Sequence, residues 1–339
     1  MSDLLTRPEQ PEPFLQGCAW PPGPNVPYPR CDPGPGGLRL PLDTREMASI
    51  PAGVRFVFLG EPEILEVDYR TETDDLGYRG EGAGTRFALF RGSRPLDASP
   101  AKLGEGTARL RVGEGDGPVT LYLPEGMRPT VFALRPEGGA IRPAPAQPRW
   151  LCYGDSIAEG WCASEPAAAW APVVSRERNL DVVNLGYAGA ARGEVPSAQE
   201  IASLEADLIS VAHGTNCWTR TPFSSELFAA SLHAFLEIVR QGHPDTPIVA
   251  ISPILRSDAE NTPNLLGARL SDLREAFEST VKERQKEGDA WLQLVPGRDL
   301  VAEECLPDGI HPDDEGHAGM ARVLGPILEA ALDGRETHA

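Results

Sequence analysis

RWLCYGDSIAEGW, residues 149–161, is the stretch on which the reading of the chain turns. A short apolar run with the look of a strand ends in Gly-Asp-Ser-Ile, and small, flexible residues follow. Gly-Asp-Ser alone is ordinary turn chemistry, because Asp and Ser bond nearby backbone and Gly tolerates unusual dihedrals. Whether Ser156 is a turn residue or a nucleophile therefore depends on what the rest of the chain places beside it.

Four further runs have the same form: DVVNLG (181–186), DLISVAHG (207–214), PIVAIS (247–252) and WLQLV (291–295). Helical segments separate them. In SSELFAASLHAFLEIVRQG (224–242), Leu227, Ser231, Ala234 and Ile238 share one face, while Glu226, His233, Glu237 and Arg240 share another. GARLSDLREAFESTVKERQKEG (267–288) is a second amphipathic helix that stops at Gly288. Five strand–helix units predict an α/β unit, a parallel sheet covered on both faces by right-handed crossovers. Ligands of such sheets bind outside the carboxyl ends of the strands.

Before residue 148 the pattern differs. Residues 1–45 are rich in Pro and Gly and read as extended or irregular. From about 50 to 145, VRFVFLG, EILEVDY, RFALFRG, TARLRVG, VTLYLPEG and TVFALRPEG recur with turn clusters between them, the pattern of an antiparallel β-sandwich. RPAPAQP (142–148) reads as a stiff linker. The expected division is residues 1–147, an irregular N-terminus plus sandwich, and residues 148–335, the α/β domain.

Polar or glycine-rich blocks sit just past the predicted strand ends: GDSIAEG, NLGYAGAARGE, HGTNCW, SPILRSDAENTPN and LPDGIHPDDEGH. In the last, Asp308 and His311 stand three residues apart, ahead of a helix that opens with Pro312, Asp313, Asp314 and Glu315. A serine nucleophile needs an imidazole to take its proton, a carboxylate to orient that imidazole, and donors facing the developing oxyanion. Asp308 can reach His311 within one tight turn, and Asn216 offers a side-chain amide.

On these residues the chain resembles the SGNH (GDSL-type) hydrolases. Four blocks match in order: Gly154-Asp155-Ser156, Asn184 with Gly189 five residues on, Gly214-Thr215-Asn216, and Asp308-Gly309-Ile310-His311-Pro312. The resemblance implies a flavodoxin-like three-layer domain with a five-stranded parallel sheet over about 148–335, preceded here by a jelly-roll-like sandwich. It implies Ser156 as nucleophile, His311 as base, Asp308 as orienter, and Gly189 and Asn216 with the Ser156 amide as oxyanion donors. Two positions depart from the usual pattern: Ala190 where an acid often follows the glycine, and Cys217 where Asp is common.

Trp161, Arg192 and Trp218 follow these blocks and are candidates to line the substrate pocket. Asp155 is expected to brace the turn, and His213 to be a hydrogen-bonded structural residue. His233 reads as part of a solvated helix face, His243 as a turn residue and His317 as a helix-surface one.

The implied activity is a serine esterase acting on an acylated small molecule or carbohydrate. A sandwich followed by an SGNH domain resembles some carbohydrate esterases and also a polyketide-tailoring acyltransferase. Transfer of the acyl group to a hydroxylated acceptor is therefore the alternative, and a non-catalytic carbohydrate-binding protein a third reading that the complete set of blocks opposes. No metal or organic cofactor is required by any of these.

Composition narrows the partners. With 50 acidic against 31 basic residues, the net charge of −19 argues against nucleic acid and anionic membranes. No run of about 18 apolar residues occurs. MSDLLTRPEQPEPF lacks the basic and apolar regions of a secretory leader, so a cytoplasmic location is expected. Six cysteines without a CxxC pair are expected to be free thiols. Oligomeric state is left open.

Overall fold

The computed structural model describes residues 8–74 and 84–336. Residues 1–7, part of the stretch searched for a leader, lie outside the described residues.

The N-terminal half forms two antiparallel sheets. One contains β1 (Leu15–Gln16), β2 (Arg55–Gly60), β4 (Arg86–Arg91), β5 (Arg94–Pro100) and β7 (Val119–Tyr122) in the order β1-β2-β7-β4-β5, with β9 (Ile141–Pro143) also pairing β2. The other has the order β6-β3-β8, from β3 (Ile64–Thr71), β6 (Gly104–Arg111) and β8 (Pro129–Glu137). Alternate residues point inward from both: Phe56, Phe58, Phe87, Leu89 and Leu121 from the first sheet meet Leu65, Val67, Leu110, Val131 and Leu134 from the second. This is the expected sandwich. The proline stretch after it begins as strand, since Arg142 and Pro143 pair with Leu59 and Phe58. The irregular N-terminal segment also contains a helix that the sequence reading lacks, α1 (Leu42–Ala48).

The C-terminal half is the expected parallel sheet. Its strands are β10 (Arg149–Gly154), β11 (Asp181–Gly186), β12 (Leu208–Ala212), β13 (Ile248–Ile251) and β14 (Leu292–Val295), ordered β11-β10-β12-β13-β14. Because side chains alternate, each strand feeds both faces. Leu151, Tyr153, Ile209 and Val211 pack under α4 (Val195–Ser203), α6 (Ser225–Gly242) and α8 (Leu270–Lys286). Trp150, Cys152, Val249 and Ile251 pack under α3 (Trp170–Arg178) and α9 (Asp314–Glu336). Burial on both faces is why these runs read as continuously apolar.

One helix face departs from expectation. In α6 the buried stripe is Phe228, Leu232, Phe235, Leu236 and Val239, and Leu227 is 48% exposed. The two phenylalanines sit one position, about 100° of helix, beyond the face read from Leu227, and the larger rings take the core. No helix among the described residues is long and apolar enough to cross a membrane.

Strand order reverses at β10, which lies between β11 and β12. The crevice at this switch point is where such sheets open a ligand site. Ser156 follows β10, Gly189 follows β11, and Asn216 follows β12, so three chain-distant blocks meet there.

Candidate active site

Gly154 ends β10 where no side chain fits: a Cβ there would lie 2.3 Å from the Ala212 carbonyl oxygen and 2.5 Å from the Ala158 Cβ. The chain then turns into the short helix α2 (Ser156–Glu159), whose cap is Asp155, accepting from the Ile157 amide at 3.1 Å. Asp155 thus braces the turn, as expected. Burial pushes its carboxyl up to about 7, against the opposing pull of the Ile157, Asp155 and Thr215 amides. Ser156 emerges at the first position of α2.

Ser156 Oγ lies 2.8 Å from His311 Nε2, and His311 Nδ1 lies 2.5 Å from Asp308 Oδ2. The other Asp308 oxygen accepts from the Ile310 and His311 amides at 2.9 and 2.8 Å, which fixes the carboxylate within its own turn. Burial works to raise the Asp308 pKa, but the His311 hydrogen bond and the backbone donors outweigh it, so the group stays below the usual carboxylate range. Burial lowers the His311 pKa; Asp308 opposes this and Arg256 adds to it, leaving the imidazole below its ordinary value.

Gly189 adopts φ 68°, a left-handed conformation that favours glycine. Its loop is tied to α2 from both sides. Asn184 donates to the Ala158 carbonyl at 3.0 Å and accepts from the Gly186 amide at 2.8 Å, and Glu159 accepts from the Ala188 amide at 2.6 Å. Asn216, in α5 (Thr215–Thr219), donates one amide hydrogen to the Ala191 carbonyl at 3.1 Å, which leaves its second hydrogen for a ligand.

Ser156, His311, Gly189 and Asn216 all line one cleft of about 490 Å³. Met47, Ile50 and Arg128 close it from the N-terminal half. Trp161 also lines it, its ring centroid 5.6 Å from that of His311. Arg192 and Trp218 do not. Arg192 lies in an adjoining hollow, paired with Asp43 at 2.9 Å and Glu194 at 3.2 Å. Trp218 donates to the Thr262 carbonyl and lies beneath Arg256, whose guanidinium is 4.9 Å from the ring centroid and is paired with Asp258.

Two histidines, His317 and His213, differ from expectation, while His243 lies in the non-helical backbone that ends α6. His317 is fully buried and bonds the Trp161 carbonyl at 3.1 Å, so it supports the cleft wall. His243 is buried and bonds the Ile201 carbonyl at 2.9 Å. His213 is buried among Tyr153, Phe228, Phe235 and Phe277, with no hydrogen bond at either ring nitrogen.

Sequence reasoning missed Arg128, Arg220, Arg256, Glu159 and His317. Arg220 was within reach, one helical turn beyond Asn216, and Arg256 sits in the loop after β13. Nothing local marks Arg128.

All six cysteines are free. Cys162, Asp308 and His311 offer ligand atoms within 4.8 Å of one another. Their fit to a metal is poor, because burial and then Asp308 push the Cys162 thiol up to about 11, and Asp308 and His311 are already bonded to each other. Cys217 is buried in the core, its Sγ 3.7 Å from the Arg192 carbonyl, and Ala190 is buried likewise.

Residues 152–318 match the GDSL-like Lipase/Acylhydrolase family. No curated protein matches the chain. Among solved structures, a GDSL-like lipase from Bacteroides ovatus aligns with a TM-score of 0.80 and 21% identity, over 95% of this chain and 96% of that one. The salicylyl-acyltransferase SsfX3 from a tetracycline biosynthetic pathway aligns with a TM-score of 0.81 and 24% identity, over 96% and 97%. A family two carbohydrate esterase from Clostridium thermocellum, solved with cellohexaose, aligns with a TM-score of 0.58 and 15% identity, over 83% and 92%. At these identities the likenesses speak to the fold, and the first two extend it through the sandwich.

Proposed function

From the premise that residues 152–318 belong to the GDSL-like lipase/acylhydrolase family, we propose that this protein is a serine esterase that works through an acyl-enzyme on Ser156. In this reading residues 148–335 form the catalytic domain, and residues 1–147 supply one wall of its cleft. The substrate is an acyl ester of a small molecule or carbohydrate.

Ser156 Oγ attacks the ester carbonyl carbon while its proton passes to His311 Nε2. Asp308 holds the imidazole tautomer and stabilises the imidazolium. The Ser156 and Gly189 amides and the free Asn216 N–H face the developing oxyanion. Collapse expels the alcohol, which takes the proton from His311. Water, activated by the same imidazole, then releases the acid and restores Ser156.

The observation that carries the reading is the Ser156–His311–Asp308 relay, at 2.8 and 2.5 Å, opening into a cleft beside Gly189 and Asn216. Ser156→Ala is expected to lower turnover of a chromogenic ester by roughly 10⁴-fold or more. A fluorophosphonate is expected to label the parent protein at Ser156, read by peptide mass spectrometry. A folded Ser156→Ala protein that keeps its activity ends the proposal.

Acyl transfer is the second reading. It is favoured by the cover that Met47, Ile50 and Arg128 place over the cleft, since transfer requires an acceptor to reach the acyl-enzyme ahead of water. Hydroxylated acceptors added to the same assay decide between the two: free acid as sole product supports hydrolysis, and acylated acceptor supports transfer.

A further inference from the structure

We propose that the ester taken by this site carries an anionic group, a carboxylate, held by Arg128 and Arg220. The proposal rests on the esterase reading for the word ester, and on the cleft itself for the charge.

In a chain with a net charge of −19, the wall of this cleft contains three arginines and no acidic residue. One of the three is already neutralised: Arg256 forms two bonds to the Asp258 carboxylate, at 2.8 and 3.1 Å, and stacks on Trp218. The other two are not. Among the described residues no carboxylate lies within ion-pairing distance of the Arg128 or Arg220 guanidinium, and neither side chain makes a hydrogen bond.

Arg128 adds two observations of its own. Its Nε is buried without a partner, and its backbone sits at φ 47°, in the left-handed region that a long side chain rarely adopts. A buried, unpartnered donor on a strained backbone at the rim of a cleft is a position where a ligand supplies the missing acceptor. Arg220 stands next to the oxyanion donor: a Cβ built on Gly189 would lie 3.4 Å from its Nη2. The cleft is therefore positive beside the point of attack. A guanidinium fork matches a planar carboxylate with two parallel hydrogen bonds, a match a neutral ester lacks.

Two matched pairs of esters test this and tell which side of the ester bears the charge. 4-Nitrophenyl hydrogen glutarate against its methyl ester places the carboxylate on the acyl side. 4-Acetoxybenzoate against its methyl ester places it on the leaving alcohol. In one pair the acid is expected to have the higher kcat/KM, by roughly ten- to a hundredfold, the range of a charge-assisted hydrogen bond. That ratio is expected to fall toward unity in Arg128→Gln/Arg220→Gln. A neutral preference in both pairs, or a ratio unchanged in the double variant, overturns the proposal. Calorimetric titration of Ser156→Ala with 4-acetoxybenzoate and with monomethyl glutarate, each against its neutral ester, separates this from the esterase reading. Tighter binding of an acid, lost in the arginine variants, supports the anionic site even if no ester is turned over. Equal binding of acid and neutral ester in both pairs overturns it even if the protein is an esterase.

Discussion

Burial drives the His311 imidazole below its ordinary value of 6.5; the Asp308 hydrogen bond pulls it back and the Arg256 guanidinium pushes it down again, with a net lowering. In the proposed mechanism His311 is the base and must be neutral to act, so the acid limb of kcat/KM is expected to have its midpoint below that of a free histidine. Arg256→Gln removes a cation that disfavours imidazolium and frees the Asp258 carboxylate, which favours it. Both changes act in one direction, so the limb is expected to move to higher pH in that variant. Asp155 complicates the profile, since burial raises it to about 7. Recording the limb in Asp155→Asn separates the two: the ionisation that persists there belongs to His311. A midpoint that stays put in Arg256→Gln, measured in pH–rate profiles on the Asp155→Asn background, sinks the argument.

His213 shows what packing between elements costs. It follows β12 and lies against Phe228 and Phe235 of α6 and Phe277 of α8, and burial lowers its pKa to about 4. The unfolded chain protonates this residue below about pH 6.5. The folded chain does not until about pH 4. Between these values the unfolded state binds more protons, so the stability due to neutral His213 is whole above pH 6.5 and is lost as pH falls toward 4. The slope is about 1.4 kcal/mol per pH unit. His213→Leu is expected to flatten the fall in unfolding free energy over this window, measured by denaturant titration; an equal slope in both proteins refutes it. The same residue marks where the sequence stops being legible. The strands of both halves stood out because their apolar pattern, alternating in much of the sandwich and continuous in the parallel sheet, is local. β5, Arg94–Pro100, did not, since it is an exposed edge strand with two prolines and little to bury. The blocks that carry Ser156, Gly189, Asn216, Asp308 and His311 were legible because each lies in one turn after a strand or before a helix. The burial of His213 and His317 was not, because aromatic rings and a carbonyl from distant elements surround them. Arg128 was hidden for the same reason: the packing of one half on the other brings it to the cleft.

That packing does not depend on the proline stretch at 142–148. Arg30, fully buried, donates from Nε to the Asn184 carbonyl at 2.8 Å and from Nη1 to the Met47 and Ile50 carbonyls at 3.0 and 2.8 Å, and bonds Gly186 as well. It also lies over the Tyr187 ring, whose hydroxyl returns a bond to the Arg30 carbonyl at 2.9 Å. Arg55 makes a second clamp, to the Val182 carbonyl at 2.9 Å and the Asp181 carboxylate at 3.0 Å. Both clamps grip β11, one at its carboxyl end where the chain leads to Gly189. Ala19 and Ala48, from the N-terminal segment, belong to the same buried cluster as the strands of the parallel sheet, alongside the sandwich's own core. Removing the Arg30 guanidinium leaves several buried carbonyls without donors, each costing about 1–3 kcal/mol. Arg30→Met, which keeps much of the apolar stem, is therefore expected to lower stability by about 3 kcal/mol or more. The loss is expected to reach both halves together, because the Arg30 and Arg55 clamps and the packed N-terminal segment tie β11 to the N-terminal half. Denaturant titration followed separately by far-ultraviolet circular dichroism and by tryptophan fluorescence is expected to give coincident transitions in the parent and in Arg30→Met, the latter at lower midpoint. For the same reason residues 148–339 alone are expected not to fold to a stable, active unit, since β11 loses its clamps and the cleft its wall. A truncated chain that unfolds cooperatively with the midpoint of the whole protein, and turns over a small activated ester at the same rate, defeats this account of how the two halves depend on each other.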